Sequence, residues 1–568
     1  MVKKLNAVCA LLALATASWA AAPMRAIEDK AWRTTIPAWS LSKSEDRDSA
    51  LYPEYNLSVP IDHFHNDSLY EPHSDGMFDL RYWFDATYYK EGGPVIILQS
   101  GETSGVGRLP FLQKGLLHQL AVATNGIGVV IEHRYYGTSL PVSNLSTEAM
   151  RFLTTDQAMA DQAYFAKNVV FAGLEDKDLT APNVAYITYG GSYAGAFVAF
   201  LRKLYPDVFW GAISSSGVTE AIWDYWAYFE PVRVYADQEC IAYQQKIIHV
   251  VDNILIGKNN SDTTSILKGA FGLPNVTYDN DFAAVLSNGI NRWQGRNWDP
   301  ELNDGTFDTY CGNLTSKEVI YSQPEGLKGT VEDLIKIGGY EFEVANLTTP
   351  ILNMIGWLAD YTVDACQGDQ DSYFSQHNET FYAQDGIDQK WRSWPFQYCT
   401  QWGYLQTGSG SPEDTLPLIS RTSDLEYNSL ICKYAFNITT PPDVEAINKY
   451  GGFDISYPRL AIIDGEQDPW RPATPHASPF NTTALNRTDS ISEPFKLIAG
   501  AVHHWDENGL FPNETVNHPP HLLPPLPVRD AQKEELAFVL EWMQEWREEV
   551  LSRRHKQQEK EVMELRRR

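Results

Sequence analysis

Apolar positions along this chain follow two rhythms and then lose both. From Phe78 to Asp85 every second residue is apolar (Phe78, Leu80, Tyr82, Phe84), the period of a strand with one covered face. Pro94–Leu98 and Ile127–Ile131 are unbroken apolar runs, as strands buried on both faces require. Thr155–Val170 predicts a helix with Thr155 or Asp156 as its cap. Val184–Tyr189 predicts another buried strand, running into a glycine turn and an apolar helix, Ala194–Lys203, and Gly211–Ser214 starts the next strand. Strands alternating with helices predict an α/β protein built on a doubly wound parallel sheet.

Between about residues 220 and 445 the alternation stops. This stretch is rich in Trp, Tyr, Asp, Asn and Gln and reads as a mostly helical insertion. The strand pattern resumes at Arg459–Asp464 and Phe495–Ala499, and a last helix is expected from about Asp530 to Ser552. The charged tail, Arg553–Arg568, is expected to be a frayed helix end or disordered. The expected organisation is a leader (1–21), a sheet domain in two parts (45–220 and 446–552), an inserted helical cap (221–445) and the tail (553–568).

The first residues change the picture from fold to compartment. Lys3 and Lys4 precede a short apolar run, Leu5–Ala17, and Ser18-Trp19-Ala20 supplies the small residues of a cleavage site, so a secretory signal peptide is expected. The run is too short to span a bilayer, and no later stretch has 18 uninterrupted apolar residues. Twelve N-x-[ST] sequons agree with export and glycosylation: Asn56, Asn66, Asn144, Asn259, Asn275, Asn313, Asn346, Asn378, Asn437, Asn481, Asn486 and Asn513. Past the leader, Cys240, Cys311, Cys366, Cys399 and Cys432 remain, an odd set whose simplest count is two disulfides and one free thiol. None has CxxC spacing, which argues against a zinc or redox site.

Composition then excludes partners. At 43% hydrophobic and 12% aromatic residues, 568 residues build a sizeable core, so wholesale disorder is excluded. The formal charge of −28 argues against nucleic acid and against anionic lipid. It suits an exported protein that works in acid, where many carboxylates carry no charge.

The sharpest chemical signal is Tyr189-Gly190-Gly191-Ser192-Tyr193-Ala194-Gly195, where a buried strand meets a helix at a serine. This is the setting of a nucleophile elbow in an α/β-hydrolase fold, with small residues at Gly190 and Ala194 letting strand and helix approach; Ala194 stands where the usual pattern has glycine. A serine needs a base, and the base needs an orienting acid. In this fold they follow in the order Ser, Asp or Glu, His. Asp468 lies in the loop after Arg459–Asp464, and His503-His504 lie after Phe495–Ala499. Spacing does not separate the two histidines, and Asp468 has a second reading as a turn cap before Pro469. The oxyanion hole is expected from the Tyr193 N–H and a donor in the loop Gln99–Gly105, with Gly101 the candidate. Glu102 in that loop reads equally as a ligand for a substrate amine or as a solvated carboxylate. No metal or organic cofactor is implied.

Several segments in order resemble the family of lysosomal Pro-X carboxypeptidase and dipeptidyl peptidase II, which includes thymus-specific serine protease and secreted fungal members. They are Val59–Phe64 (VPIDHF), Glu132–Pro141 (EHRYYGTSLP), Leu153–Asp161, Gly190–Gly195, Asp468-Pro469-Trp470 and His503-His504. The resemblance implies Ser192 as nucleophile, Asp468 as acid, His503 as base and His504 as its support. It also implies an α/β-hydrolase domain with a helical cap, and cleavage after proline in peptide or protein substrates. Trp470, with Tyr193 near it, is the candidate proline wall. The expected place of action is outside the cell or in an acidic lysosome- or vacuole-like compartment. The turn Ser100-Gly101-Glu102-Thr103 and the segment Ser214–Val218 depart from the family pattern. The rival readings are an esterase or lipase on the same fold, and a hydrolase-fold binding protein without activity.

Overall fold

A computed structural model describes residues 51–511 and 522–567. The leader and Asn513 therefore lie outside the described residues. The chain forms two compact units. One comprises Ile222–Arg296 and Asp304–Pro442. The other comprises the described residues up to Ala221, Asn297–Asn303, and those from Asp443 onward.

The second unit is built on an eight-stranded sheet. Its strands are β1 (Tyr55–Pro60), β2 (Met77–Asp85), β3 (Val95–Gln99), β4 (Ile127–Ile131), β5 (Tyr186–Gly191) and β6 (Gly211–Ser215), then, after the other unit's short β7 (Ile222–Asp224) and β8 (Gly403–Leu405), β9 (Leu460–Gly465) and β10 (Phe495–Ile498). The order is β1-β2-β4-β3-β5-β6-β9-β10. From β4 to β10 every pairing is parallel; β1 and β2 are antiparallel additions at one edge. The sheet is thus α/β and mostly rather than wholly parallel. Strands β3, β4 and β6 are buried at every position, which explains the unbroken apolar runs Pro94–Leu98 and Ile127–Ile131 of the first two.

The alternation expected over Phe78–Asp85 holds only for the first residues of β2. Asp79 is exposed between buried Phe78 and Leu80, but Arg81 and Trp83 are buried too. Arg81 is taken up by a carboxylate, Glu132, so a polar residue marks an inward position here. The helix after the first crossover is Thr155–Asn168, and its cap is Thr154, whose hydroxyl accepts the Gln157 N–H, rather than Thr155 or Asp156. The last helix runs from Leu526 to Arg567, so the tail expected to fray is helical through its described residues.

The other unit is mostly helical, with β7 and β8 pairing as a two-stranded parallel sheet. It holds both disulfides, Cys240–Cys311 and Cys399–Cys432, and the free Cys366. No described helix is long and apolar enough to cross a membrane. None of the described sequon asparagines is buried: Asn56, Asn66, Asn144, Asn259, Asn275, Asn346, Asn437 and Asn486 are exposed, and Asn313, Asn378 and Asn481 half-buried.

Candidate active site

The parallel sheet brings the chemistry to one edge. β5, β9 and β10 run the same way, so the residues that follow each of them lie at the carboxyl edge of the sheet. Chain order also reverses between β3 and β5, which are neighbours, so the loop after β3 faces the turn after β5.

Ser192 sits between β5 and the helix Tyr193–Leu204 with φ 62° and ψ −127°, a conformation a serine adopts only under constraint. Its N–H donates to Ser215 O at 2.9 Å, which ties the turn to β6. The glycines show why the turn can be so tight. A Cβ on Gly190 would lie 2.2 Å from Ala194 O, and one on Gly195 2.7 Å from Ser215 O. The close approach therefore rests on Gly190 and Gly195.

His503 Nδ1 lies 2.9 Å from Asp468 Oδ2, and both residues are buried. The other oxygen of Asp468 accepts the Trp470 N–H at 2.9 Å, so the turn-cap reading and the acid reading hold together in one carboxylate. Burial pushes the Asp468 carboxyl up, but the charge and hydrogen bond of His503, then Ser216 and the Trp470 N–H, outweigh it and hold the group below the ordinary aspartate value. Asp464, the alternative at the strand end, is paired with His476 at 2.7 Å. His504 faces elsewhere. Its N–H donates to Ser216 Oγ at 2.9 Å, and its Nδ1 lies 2.9 Å from Glu507 Oε2, aligned as an ion pair rather than as a well-formed hydrogen bond. The Ser192 hydroxyl makes no hydrogen bond among the described residues; such contacts are commonly long before substrate binds.

Three expectations need correction. The Gly101 N–H donates to Gln99 Oε1 at 2.8 Å, so it is engaged rather than free for an oxyanion. Glu102 is buried, not a solvated loop carboxylate; burial pushes its carboxyl above the ordinary range, against the pull of Arg108 and His504. Tyr193 is not an open pocket wall: its ring is buried and its hydroxyl pairs with His133 Nε2 at 2.8 Å. Trp470 itself is 2% exposed, its ring 6.5 Å from that of His503.

The segment EHRYYGTSLP proves to be scaffold. Glu132 holds the Arg81 guanidinium in two hydrogen bonds, 2.8 and 2.6 Å, and accepts the Gly105 and Ser139 N–H groups. Arg134 grips Asp161 with two bonds of 2.6 Å and caps the carbonyls of Ile61 and Phe152. His133 reaches Tyr193, next to the serine.

Sequence reading missed Ser216, Asp506 and Glu507. Ser216 joins both loops, accepting from His504 and bonding Asp468. Asp506 accepts hydrogen bonds from Tyr189 Oη and Ser215 Oγ, bracing the two strands behind the elbow. The only available signal was their position, directly after strand β6 and directly after the histidine pair.

The strand order, the strained serine turn and the loops at the carboxyl edge define an α/β hydrolase. Among known sequences, residues 60–517 match the model of the serine carboxypeptidase S28 family, and the chain belongs to that family and is a serine-type peptidase. A probable extracellular serine carboxypeptidase of Arthroderma benhamiae is 53% identical over 89% of this chain and 69% of that protein. Thymus-specific serine protease of Mus musculus is 24% identical over 77% of this chain and 80% of that one. The crystal structure of proline iminopeptidase from Mycobacterium smegmatis covers 86% of this chain and 99% of its own, with a TM-score of 0.30 and 10% identity, a likeness too loose to carry any argument.

Proposed function

We propose that this chain is an exported serine carboxypeptidase that hydrolyses the peptide bond on the carboxyl side of proline, at acidic pH, through an acyl-enzyme. The observation that carries the reading is the His503–Asp468 pair of 2.9 Å at the same sheet edge as Ser192. Ser192 Oγ attacks the scissile carbonyl while His503 Nε2 takes its proton. Asp468 holds the imidazole through Nδ1 and stabilises the cation that forms. The Tyr193 N–H, at the start of its helix, donates to the oxyanion. His503 then protonates the leaving amine, and water, activated by the same histidine, releases the product acid. His504 and Ser216 support this geometry. Glycans on the exposed sequons and an acidic compartment or medium belong to the same reading, as does the name of the 53% identical relative.

Glu102 gives the acid dependence a cause. As a protonated acid it donates a hydrogen bond, which a substrate carboxylate accepts; ionised, it repels that carboxylate. Burial favours the protonated form. The reading is tested by mass spectrometry of the products from one proline-containing peptide, with Ser192→Ala as control. Release of a C-terminal residue after proline, absent in the control, supports it. Ester hydrolysis without any peptide cleavage would replace it with an esterase, and cleavage inside the peptide alone with an endopeptidase.

A further inference from the structure

The loop between β1 and β2 gathers three metal-binding side chains that play no part in the reaction proposed at Ser192. Asp62, His65 and His73 each turn one donor atom into a common space, and all three atoms lie within 4.8 Å of one another. Their surroundings are fixed. Asp62 is buried, and its Oδ1 is occupied by the Phe64 N–H and Gln157 Nε2, both at 2.8 Å. That leaves Oδ2 directed at His73 Nδ1, 2.8 Å away. The His65 and His73 rings are 5.5 Å apart, and His65 is half open to solvent, which leaves a path of entry.

The loop itself is pinned at three places. The Ile61 N–H donates to Gly76 O at 3.0 Å. Arg151 Nη2 donates to Pro72 O at 2.6 Å. The Tyr70 and Thr154 hydroxyls are 2.9 Å apart. The loop that carries the donors is therefore held by the fold before any ion arrives, and only small side-chain movements are needed to close the site.

We propose that Asp62, His65 and His73 bind one divalent transition-metal ion, with Zn2+ the best match. Two imidazoles and one carboxylate are a borderline donor set that suits Zn2+, with water completing a tetrahedron. Ca2+ needs six or more oxygens, and Mg2+ disfavours imidazole. Ligand bonds of about 2.1 Å place tetrahedral donors roughly 3.4 Å apart, so the direct His73–Asp62 contact opens slightly and His65 closes in. Gln157 and the Phe64 N–H orient the carboxylate from behind, as outer partners of metal ligands do. The ion would tie the two ends of the β1–β2 loop to each other, at an Asp62 already held by Gln157 of the helix Thr155–Asn168.

The test is a calorimetric titration of the chelator-stripped full chain with ZnCl2 at pH 7.5, in an Asn66→Gln background so that no glycan adjoins His65. One saturable site is expected, together with a rise in the melting temperature on adding Zn2+. His65→Ala removes an exposed side chain, so it leaves the fold intact; it should weaken binding at least about tenfold and the His65→Ala/His73→Ala double variant at least about a hundredfold. Equal titration of parent and His65→Ala overturns the proposal, as does the absence of a saturable site or Ca2+ binding as tight as Zn2+.

Discussion

The two compact units hold their shape by different means. The helical unit is cross-linked at Cys240–Cys311 and Cys399–Cys432, closing separations of 71 and 33 residues. The sheet unit has no disulfide among its described residues. It relies instead on buried ion pairs: Arg81 of β2 with Glu132, Arg134 of the loop after β4 with Asp161 of the helix Thr155–Asn168, and Lys114 with Asp299. A cross-link acts mainly by restricting the unfolded chain. A buried ion pair acts in the folded state, where each partner left alone is a large penalty. Both units bury charged groups in directional bonds, but only the helical unit, among the described residues, adds cross-links that limit how far its chain can open.

Several outcomes would break or sharpen this contrast. The largest effect is expected at the elbow: Ser192→Ala should abolish peptide cleavage and fluorophosphonate labelling, a loss on the order of 10⁶-fold in kcat, with the melting temperature unchanged. Asp468→Asn should cost about 10⁴-fold in kcat, because the amide leaves His503 in the wrong tautomer; a small loss would remove Asp468 from the mechanism. Arg134→Ala should destabilise the sheet unit by about 3–5 kcal/mol, read in urea unfolding, since it leaves buried Asp161 with His63 as its remaining charged partner. Reduction of the disulfides should cost about 2–5 kcal/mol and raise hydrogen exchange around Cys240–Cys311 and Cys399–Cys432 while β3 to β6 stay protected. Equal loss in both places would erase the contrast.

The smallest effects concern pH. Burial, then the charge of Asp506, pushes Glu535 well above its ordinary value of 4.5, so the folded protein favours its protonated form. Its contribution is fully present below about pH 4.5 and is lost as pH rises through the raised value. Asp468, Asp161 and Glu507 are shifted the other way, each held down against burial by neighbouring cations and hydrogen bonds, and their contribution is lost as pH falls. Maximum stability is expected between these limits. Glu535→Gln should therefore stabilise the protein more at pH 7.5 than at pH 4.5, measured by chemical unfolding at both; an equal effect at the two pH values would contradict this. Glu102→Gln should keep activity and flatten the alkaline fall of the rate–pH profile; an unchanged profile would remove Glu102 from substrate binding.

Much of the sheet was legible because both-face burial leaves unbroken apolar runs such as Ile127–Ile131, and because a strand entering a helix at Gly-Gly-Ser has few physical interpretations. β2 was read less well, since inward Arg81 looks like an exposed position until Glu132 is seen to receive it. The site was legible in part. Chain order pointed to Asp468 and to the histidine pair, but not to which histidine meets the acid. It did not single out Ser216 and Asp506, whose partners are far away in sequence, or Glu507, whose contact with His504 depends on the turn between them; none leaves a periodic trace.

The sequence by itself determined the strands, the serine turn, the loops that supply an acid and a base, and the cysteine count, because each follows from local spacing and residue type. Only the tertiary structure decided that His503 rather than His504 meets Asp468, that the Gly101 N–H is taken by Gln99, that Glu102 is buried, and which cysteines pair. These are questions of which groups share a dry, crowded space, and the packing of distant segments alone sets that.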